Sequence, residues 1–295
     1  MEFYQLKYLR AIVTKGGVNQ AARSLHVSPP AVSKAISNLE SELGCLIFDR
    51  ANRVLTLTEV GKRLLRRAHE MLNLEETTLA EIKGPSSVGE ITIAGRDILL
   101  SQFGIQMRQV ITKLFAESCV NFIETSGAEA ISLVDRGNAH LAFTTNLPPA
   151  SWRKIHLDNI ECGLFVGSGH PLARKSEKAE PILMAELLNY DFLSSNSPVW
   201  IHNGDVLSTD GWHDDLFPRK ISVRAESLYL FRELIRVGKE IAFLPKFWAE
   251  ANGLQELKVK GGPKIKSFPV YCSSKRARDL SWLGSLMSDF EKSLS

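Results

Sequence analysis

Apolar positions near the start of the chain recur at helical spacing. Phe3, Leu6, Leu9, Ile12 and Val13 form one stripe and predict a first helix, which Gly16-Gly17 stops. A second short helix is expected from Gln20 to His26, capped by Asn19, with Ala21, Ala22 and Leu25 facing inward. Val27-Ser28 makes a turn. Ser28 is placed to cap a third helix, and Pro29 fits its first position, where a missing N–H costs nothing. Val32, Ile36, Leu39 and Leu43 define that helix's buried face; Pro30, Lys34, Ser37, Asn38 and Ser41 point the other way, and Ser33 lies on the flank. Leu46–Arg50 and Val54–Thr58 then predict two short strands around an Asn-containing turn, with Arg53 at or beside its tip. Thr58 can cap a long helix running to about Lys83. Leu65, Ala68, Leu72, Leu79 and Ile82 hold heptad a/d positions in it, and Glu75 interrupts them; the stripe packs either on a second copy or on its own domain.

After the linker-like KGPSSVGE the pattern changes. Strands are predicted at Glu90–Ala94, Val120–Glu124, Leu141–Thr144, Gly163–Gly167, Asp191–Leu193, Ile221–Arg224, Ile241–Leu244 and Val270–Cys272. Amphipathic helices fall between them at Ser101–Glu117, Gly127–Arg136 and Ala225–Val237. The alternation predicts an α/β half with largely parallel sheets. In such lobes ligands sit beyond strand C-termini and against helix N-termini. That rule selects Arg96, Asp97, Ser101, Thr125, Ser126, Gly127, Thr144, Thr145, Asn196, Ser197, Glu226 and Ser227. The same residue types also serve as helix caps, so each has a purely structural alternative.

Charge sharpens the division. Residues 1–67 hold 11 Lys/Arg and 5 Asp/Glu, 11 − 5 = +6, whereas residues 88–295 hold 24 of each, 24 − 24 = 0. A basic excess confined to one end fits a half that meets polyphosphate, though a solvated basic face would give the same count. No apolar run approaches the length of a membrane helix, about 20 residues. The start, MEFYQLKYLRAIVTK, lacks a signal-peptide core, and a cytoplasmic protein is expected. Cys45, Cys119, Cys162 and Cys272 form no CxxC pair. The last three lie in or beside apolar runs and are expected as buried small hydrophobes.

The stretch from Ala21 to Gly61 carries AA..L..S, PAVS, I..LE..LG and LT..G in one register. It closely resembles the helix-turn-helix of LysR-type transcription regulators. GEITIAG, VDRGNAHLAF, LFVGSGHPLA and LIRVGKEIAFLP resemble that family's effector domain more loosely. The resemblance implies an α+β winged helix-turn-helix (1–58), a dimerising helix and hinge (59–87), and an α/β effector domain of two Rossmann-like lobes (88–295). The chain would cross between lobes near residue 160 and return near 267. DNA contacts are then expected from Ser28, Pro29, Pro30, Ser33, Lys34, Ser37, Asn38, Arg50 and Arg53, with Arg50 alternatively pairing with Glu40 or Glu42. Implied partners are double-stranded promoter DNA, a small-molecule effector and further copies of the chain, as a dimer and a dimer of dimers; Arg96 and the helix N-termini that converge on the cleft make an anionic effector the expectation. RNA polymerase is a further candidate, and no cofactor is implied. Two stretches depart from the family pattern: Glu240, where many relatives have glycine, and Trp200–Pro218.

Two other function classes fit the sequence less well. An enzyme finds no GxSxG, GxGxxG or P-loop in the second half. His202, Asp210, His213, Asp214 and Asp215 match no established metal-ligand spacing and read as a polar loop. A transport-type solute-binding protein would share the two lobes but would need export.

Overall fold

The computed structural model describes residues 1–49, 55–83, 88–178, 180–196, 208–261 and 267–294. They form two compact units. One is Met1–Gly89 with Phe115–Ser118 and Asp135–Asn138; the other is the remainder.

The first unit opens with α1 (Phe3–Lys15), α2 (Val18–Ser24) and α3 (Pro29–Leu43). Helix α2 starts earlier than expected, after Gly17, whose carbonyl accepts from Ala21 N at 3.0 Å; Asn19 lies inside the first turn. Ser28 caps α3 as expected, its side chain accepting from Ala31 N at 3.4 Å. Leu6, Leu9, Ile12, Ala21, Ala22, Val32, Ile36, Leu39, Ile47 and Phe48 make the core, while Phe3, Val13 and Leu43 remain exposed. Strands β1 (Phe48–Asp49) and β2 (Thr56–Leu57) pair antiparallel, Phe48 opposite Leu57. The buried Glu40 fixes their approach: its Oε1 accepts from Ile47 N at 2.9 Å and Phe48 N at 3.2 Å.

Helix α4 (Glu59–Lys83) has 25 residues, a length of about 38 Å. Thr58 caps it as expected, its Oγ1 accepting from Gly61 N at 3.0 Å while donating to Leu46 O at 2.8 Å. Gly61 is required by proximity, since a Cβ there would lie 2.1 Å from Ile47 O. Gly61→Ala is therefore expected to cost about 1–3 kcal/mol through forced backbone shifts, read as a lowered denaturation midpoint.

The heptad stripe on α4 is divided in two. Ala68 and Leu72 are fully buried in the core of their own unit, and Leu64 and Leu65 pack against it. Leu79 and Ile82, with Met71 and Leu74 on the same helix, face solvent. Glu75, the polar interruption, accepts from Lys7 Nζ at 3.0 Å and ties α4 to α1. The N-terminal half of the expected dimer seam is thus intramolecular.

The second unit has two lobes. One contains β3 (Glu90–Gly95), α5 (Asp97–Leu114), β4 (Cys119–Glu124), α6 (Gly127–Asp135), β5 (Leu141–Thr144) and β6 (Arg153–Ile160). The chain then passes into the other lobe: β7 (Cys162–Val166), α7 (Pro171–Glu177), β8 (Ile182–Leu183), α8 (Met184–Leu187), β9 (Phe192–Ser194), β10 (Ile221–Arg224), α9 (Leu228–Val237), β11 (Ile241–Pro245), α10 (Lys246–Ala251), β12 (Gln255–Glu256) and β13 (Val259–Lys260). It returns through β14 (Phe268–Ser274) and α11 (Ser281–Leu294). The sheets have strand orders β4-β3-β5-β14-β6 and β10-β9-β11-β7-β12, and β8 pairs with β13 apart from them.

Both five-stranded sheets are mixed, half of their pairings being antiparallel, a correction to the expected largely parallel arrangement. β3 runs parallel to β4 and β5, but β14 is antiparallel to β5 and β6. β9 is parallel to β10 and β11, but β7 is antiparallel to β11 and β12. The antiparallel members include the strands on either side of the crossover and the return strand. In the first lobe Phe143 stacks on Phe290 of α11 at 6.0 Å and meets Phe103 of α5 edge-on at 6.2 Å, so the C-terminal helix closes the core.

Candidate functional site

Helix α3 is built with two faces. Val32, Ala35, Ile36, Leu39 and Glu40 are buried, whereas Ser28, Pro29, Pro30, Ser33, Lys34, Ser37 and Asn38 are all exposed. Small side chains and one ammonium leave that face slim enough for a groove about 12 Å wide. Lys62, Arg63, Arg66 and Arg67 are exposed in the first turns of α4; Lys62 and Arg67 bind Glu59 and Glu70 at 2.7 Å. Arg50 and Arg53 lie outside the described residues.

A cleft of about 600 Å³ separates the two lobes of the second unit. The first lobe contributes Arg96, Asp97 and Ile98 at the end of β3 and start of α5, and Glu124 at the end of β4. The second lobe contributes an apolar wall of Ala225, Leu228, Phe231, Phe243, Leu244 and Pro245, with Ser195, Asp210 and Glu226 beside it. The cleft therefore has a charged side and a greasy side.

Asp210 is held by a dense network. Its carboxylate accepts from Arg219 Nη1 at 2.9 Å and Nη2 at 2.7 Å, from Ser194 Oγ and Ser208 Oγ at 2.9 Å, and from Trp212 N at 3.2 Å. The Arg219 side chain is 0% exposed and also binds Asp214 at 2.9 Å. Its guanidinium lies 5.2 Å from the Phe192 ring and 5.5 Å from Trp212. Burial pulls this guanidinium's pKa down, but Asp210 and Asp214 outweigh burial and hold it above its ordinary value. Trp212 touches Phe243 of the cleft wall edge-on at 5.5 Å. Asp210 and Trp212, in the described part of the stretch that fits the family pattern poorly, thus brace the cleft wall.

Of the residues selected from sequence, Arg96, Asp97 and Glu226 line the cleft. Ser101 does not, because α5 begins four residues earlier than expected; its hydroxyl donates to Ile98 O at 3.0 Å within the helix. Ser126 and Ser227 act as caps, accepting from Glu129 N at 3.2 Å and Leu230 N at 3.4 Å. Thr125 N donates to Gly95 O at 2.9 Å. Gly127 abuts Thr144 and Asn146, where a Cβ would lie 2.6 Å and 2.4 Å from their side-chain oxygens. Thr144 and Thr145 are buried there, and Asn196 is exposed outside the lining; Ser197 is not among the described residues. Glu124 and Ser195 were missed by a single position each, at the strand ends the rule addresses. Asp210 and the apolar wall carried no local signal.

Asp210 and Asp214, weighed above as metal ligands, serve Arg219 instead, and His213 Nδ1 sits 3.6 Å from Asp215. His202 is outside the described residues. Burial pushes the Cys162 and Cys272 thiols far up, which suits inert core residues. Cys119 departs from expectation: it is exposed, on edge strand β4. A thiol reagent at neutral pH is expected to label Cys119 in the folded protein and to reach Cys162 and Cys272 only after denaturation. Peptide mapping of the labelled protein reads this directly.

Two family models match the chain: "Bacterial regulatory helix-turn-helix protein, lysR family" over residues 3–62, and "LysR substrate binding domain" over residues 86–283. The chain is 47% identical over 248 residues to a probable RuBisCO transcriptional regulator of Guillardia theta, covering 81% of this chain and 78% of that protein. It is 30% identical over 146 residues to the HTH-type transcriptional regulator ClcR of Pseudomonas putida, covering 48% of this chain and about half, 49%, of ClcR. Among solved structures it is similar to full-length CbnR complexed with its target DNA (TM-score 0.63, 19% identity, 99% of this chain and 100% of that one). It is also similar to full-length LysG from Corynebacterium glutamicum with bound effector Arg (TM-score 0.60, 22% identity, 99% and 98%). Among the described residues no helix is long and apolar enough to cross a membrane.

Proposed function

Since this chain belongs to the LysR family, we propose that it is a DNA-binding transcription regulator whose promoter contacts respond to a small molecule held between its two lobes. The observation that carries the first part is the two-faced α3: its apolar side is locked in the core, and Ser28 and the α3 positions expected at DNA are solvent-exposed. Lys34 is the one cation on that face, and the basic start of α4 adds charge for phosphates. Arg50 and Arg53, expected in the wing between β1 and β2, would add further phosphate contacts. The exposed Leu74, Leu79 and Ile82 on α4 support pairing with a second copy. A dimer would present two such units to two half-sites, and a dimer of dimers would span more DNA.

The cleft supports the second part. Its lining pairs carboxylates and one guanidinium with an apolar wall, which supports the binding of a small amphipathic molecule. Both lobes contribute, so a ligand bridging them would favour a closed arrangement. It would shift the regulator only by its difference in affinity for the two arrangements. The outcome would be a changed footprint or DNA bend, with RNA polymerase as the partner that reads it.

Lys34→Ala tests the DNA reading. If Lys34 reads a base edge, binding to promoter DNA should weaken by about 1–3 kcal/mol. Electrophoretic retardation at fixed physiological salt measures it, and an unchanged affinity would remove Lys34 from the interface.

A further inference from the structure

We propose that the interlobe cleft takes a zwitterion, a small α-amino acid with an apolar side chain. This rests on the reading of the cleft as the effector site and concerns the chemistry that site accepts. Charge of both signs lines the cleft, so its sum selects no ligand; individual atoms do. Asp210 is neutralised by Arg219 through two hydrogen bonds. Arg96 and Glu226 each interact within the protein. Arg96 Nε, however, is buried and donates to no acceptor. A buried donor left unmade is costly, so the site calls for an acceptor there. The Asp97 and Glu124 side chains have no hydrogen-bond or ion-pair partner among the described residues and can only accept when ionised.

These three residues leave one pair of strand ends. Gly95 of β3 lies opposite Glu124 of β4, and Thr125 N donates to Gly95 O at 2.9 Å. Arg96 and Asp97 follow Gly95 directly, and Arg96 O accepts from Leu99 N and Leu100 N at 2.9 Å as α5 begins. One small polar head therefore meets a donor and two carboxylates together. Leu228, Phe231 and Phe243 form the opposite wall in the second lobe. As the lobes close, water leaves, and any polar group without a partner becomes costly. A simple carboxylate would fill Arg96 Nε but set a further anion beside Asp97 and Glu124. A simple amine would serve those two and leave Nε without an acceptor. An α-amino acid does both: its carboxylate accepts from Nε, and its ammonium donates to Asp97 and Glu124 in charge-assisted hydrogen bonds. Its side chain lies on the apolar wall and so ties the second lobe to the first. The anionic effector expected from Arg96 and helix N-termini is thereby narrowed to one that carries its own ammonium.

Four probes, titrated calorimetrically into the full chain, separate the parts: phenylalanine; 3-phenylpropionate, which lacks the ammonium; phenethylamine, which lacks the carboxylate; and alanine, which lacks the apolar body. Phenylalanine should bind at least about tenfold more tightly than each of the others, a gap of about 1.4 kcal/mol. Asp97→Asn should weaken phenylalanine and phenethylamine several-fold without weakening 3-phenylpropionate. Arg96→Gln should weaken phenylalanine and 3-phenylpropionate without weakening phenethylamine. The probe comparison on the wild-type chain decides the case even where Arg96→Gln fails to fold. Leu228→Trp, which fills the apolar side, should abolish phenylalanine binding. Any of the other three probes within about tenfold of phenylalanine or tighter, with binding lost in Leu228→Trp, would overturn the zwitterion and leave the cleft reading intact. Phenylalanine binding that survives Leu228→Trp would overturn the cleft reading itself. No phenylalanine binding up to about 10 mM would also overturn the proposal, since three matched contacts should give a tighter Kd than that.

Discussion

Asp210→Ala is expected to destabilise the second unit by about 3 kcal/mol, because it strands a buried cation. The Arg219 side chain has no exposure, and Asp210 supplies two of its three carboxylate hydrogen bonds. Asp214 remains, but it is partly exposed and binds only Nε, so the forked end of the guanidinium loses its anion. Ser194 and Ser208 lose their acceptor in the same step. Urea denaturation followed by tryptophan fluorescence suits the measurement, since Trp212 packs against this cluster. Two companion variants separate the causes. Asp210→Asn keeps the shape and hydrogen-bonding capacity but removes the charge, and should cost less than alanine. Asp210→Leu with Arg219→Met replaces the pair by apolar groups and should recover much of the loss, as removing both members of a buried pair commonly does. An Asp210→Ala midpoint equal to wild type would mean that the network holds the loop without contributing to stability.

That network also marks where the sequence stopped being informative. The DNA-facing helix was readable because a three- to four-residue apolar period, a Ser-Pro start and Gly44 at its end are local signals that agree. Strands β3, β5 and β11 were readable as short, largely apolar runs. β6 was missed because Lys154, His156 and Asp158 alternate with Ile155 and Leu157, and an edge strand with polar outward positions looks like loop. The rule that ligands sit at strand ends found the right turns, but it missed Glu124 and Ser195 by a single residue. Most other selected residues turned out to cap helices or to pack against neighbours, which the same residue types do equally well. The apolar wall could not be found locally. Leu228 and Phe231 read as the buried stripe of an ordinary amphipathic helix, and only the placement of the opposite lobe turns that stripe into a binding surface.

The long helix shows the same limit, and it supports the second large effect. Leu72→Arg is expected to unfold the DNA-binding unit, not to split a dimer. Leu72 is fully buried between α4 and the three-helix core, so an arginine there must either bury an unpaired charge or push α4 away. Either route costs on the order of 4 kcal/mol or more, a large part of a small domain's stability. Periodicity could not reveal this, because a stripe that packs on its own domain and a stripe that packs on a second copy have the same spacing. Exposure separates them. Ile82 is 75% exposed in the single chain, and Leu79 is 37% exposed. Ile82→Arg should leave the unit folded, with a far-ultraviolet spectrum and thermal midpoint near wild type, and should weaken self-association by burying a charge between copies. Sedimentation velocity at several concentrations tests that, together with retardation of a two-half-site promoter fragment. The expected pattern is crossed: Leu72→Arg loses helical signal and all DNA binding, whereas Ile82→Arg stays folded, shifts toward monomer and loses only tight binding to the paired site. If Ile82→Arg sediments like wild type at every concentration, the seam does not run through the exposed end of α4, and self-association must be carried by the second unit.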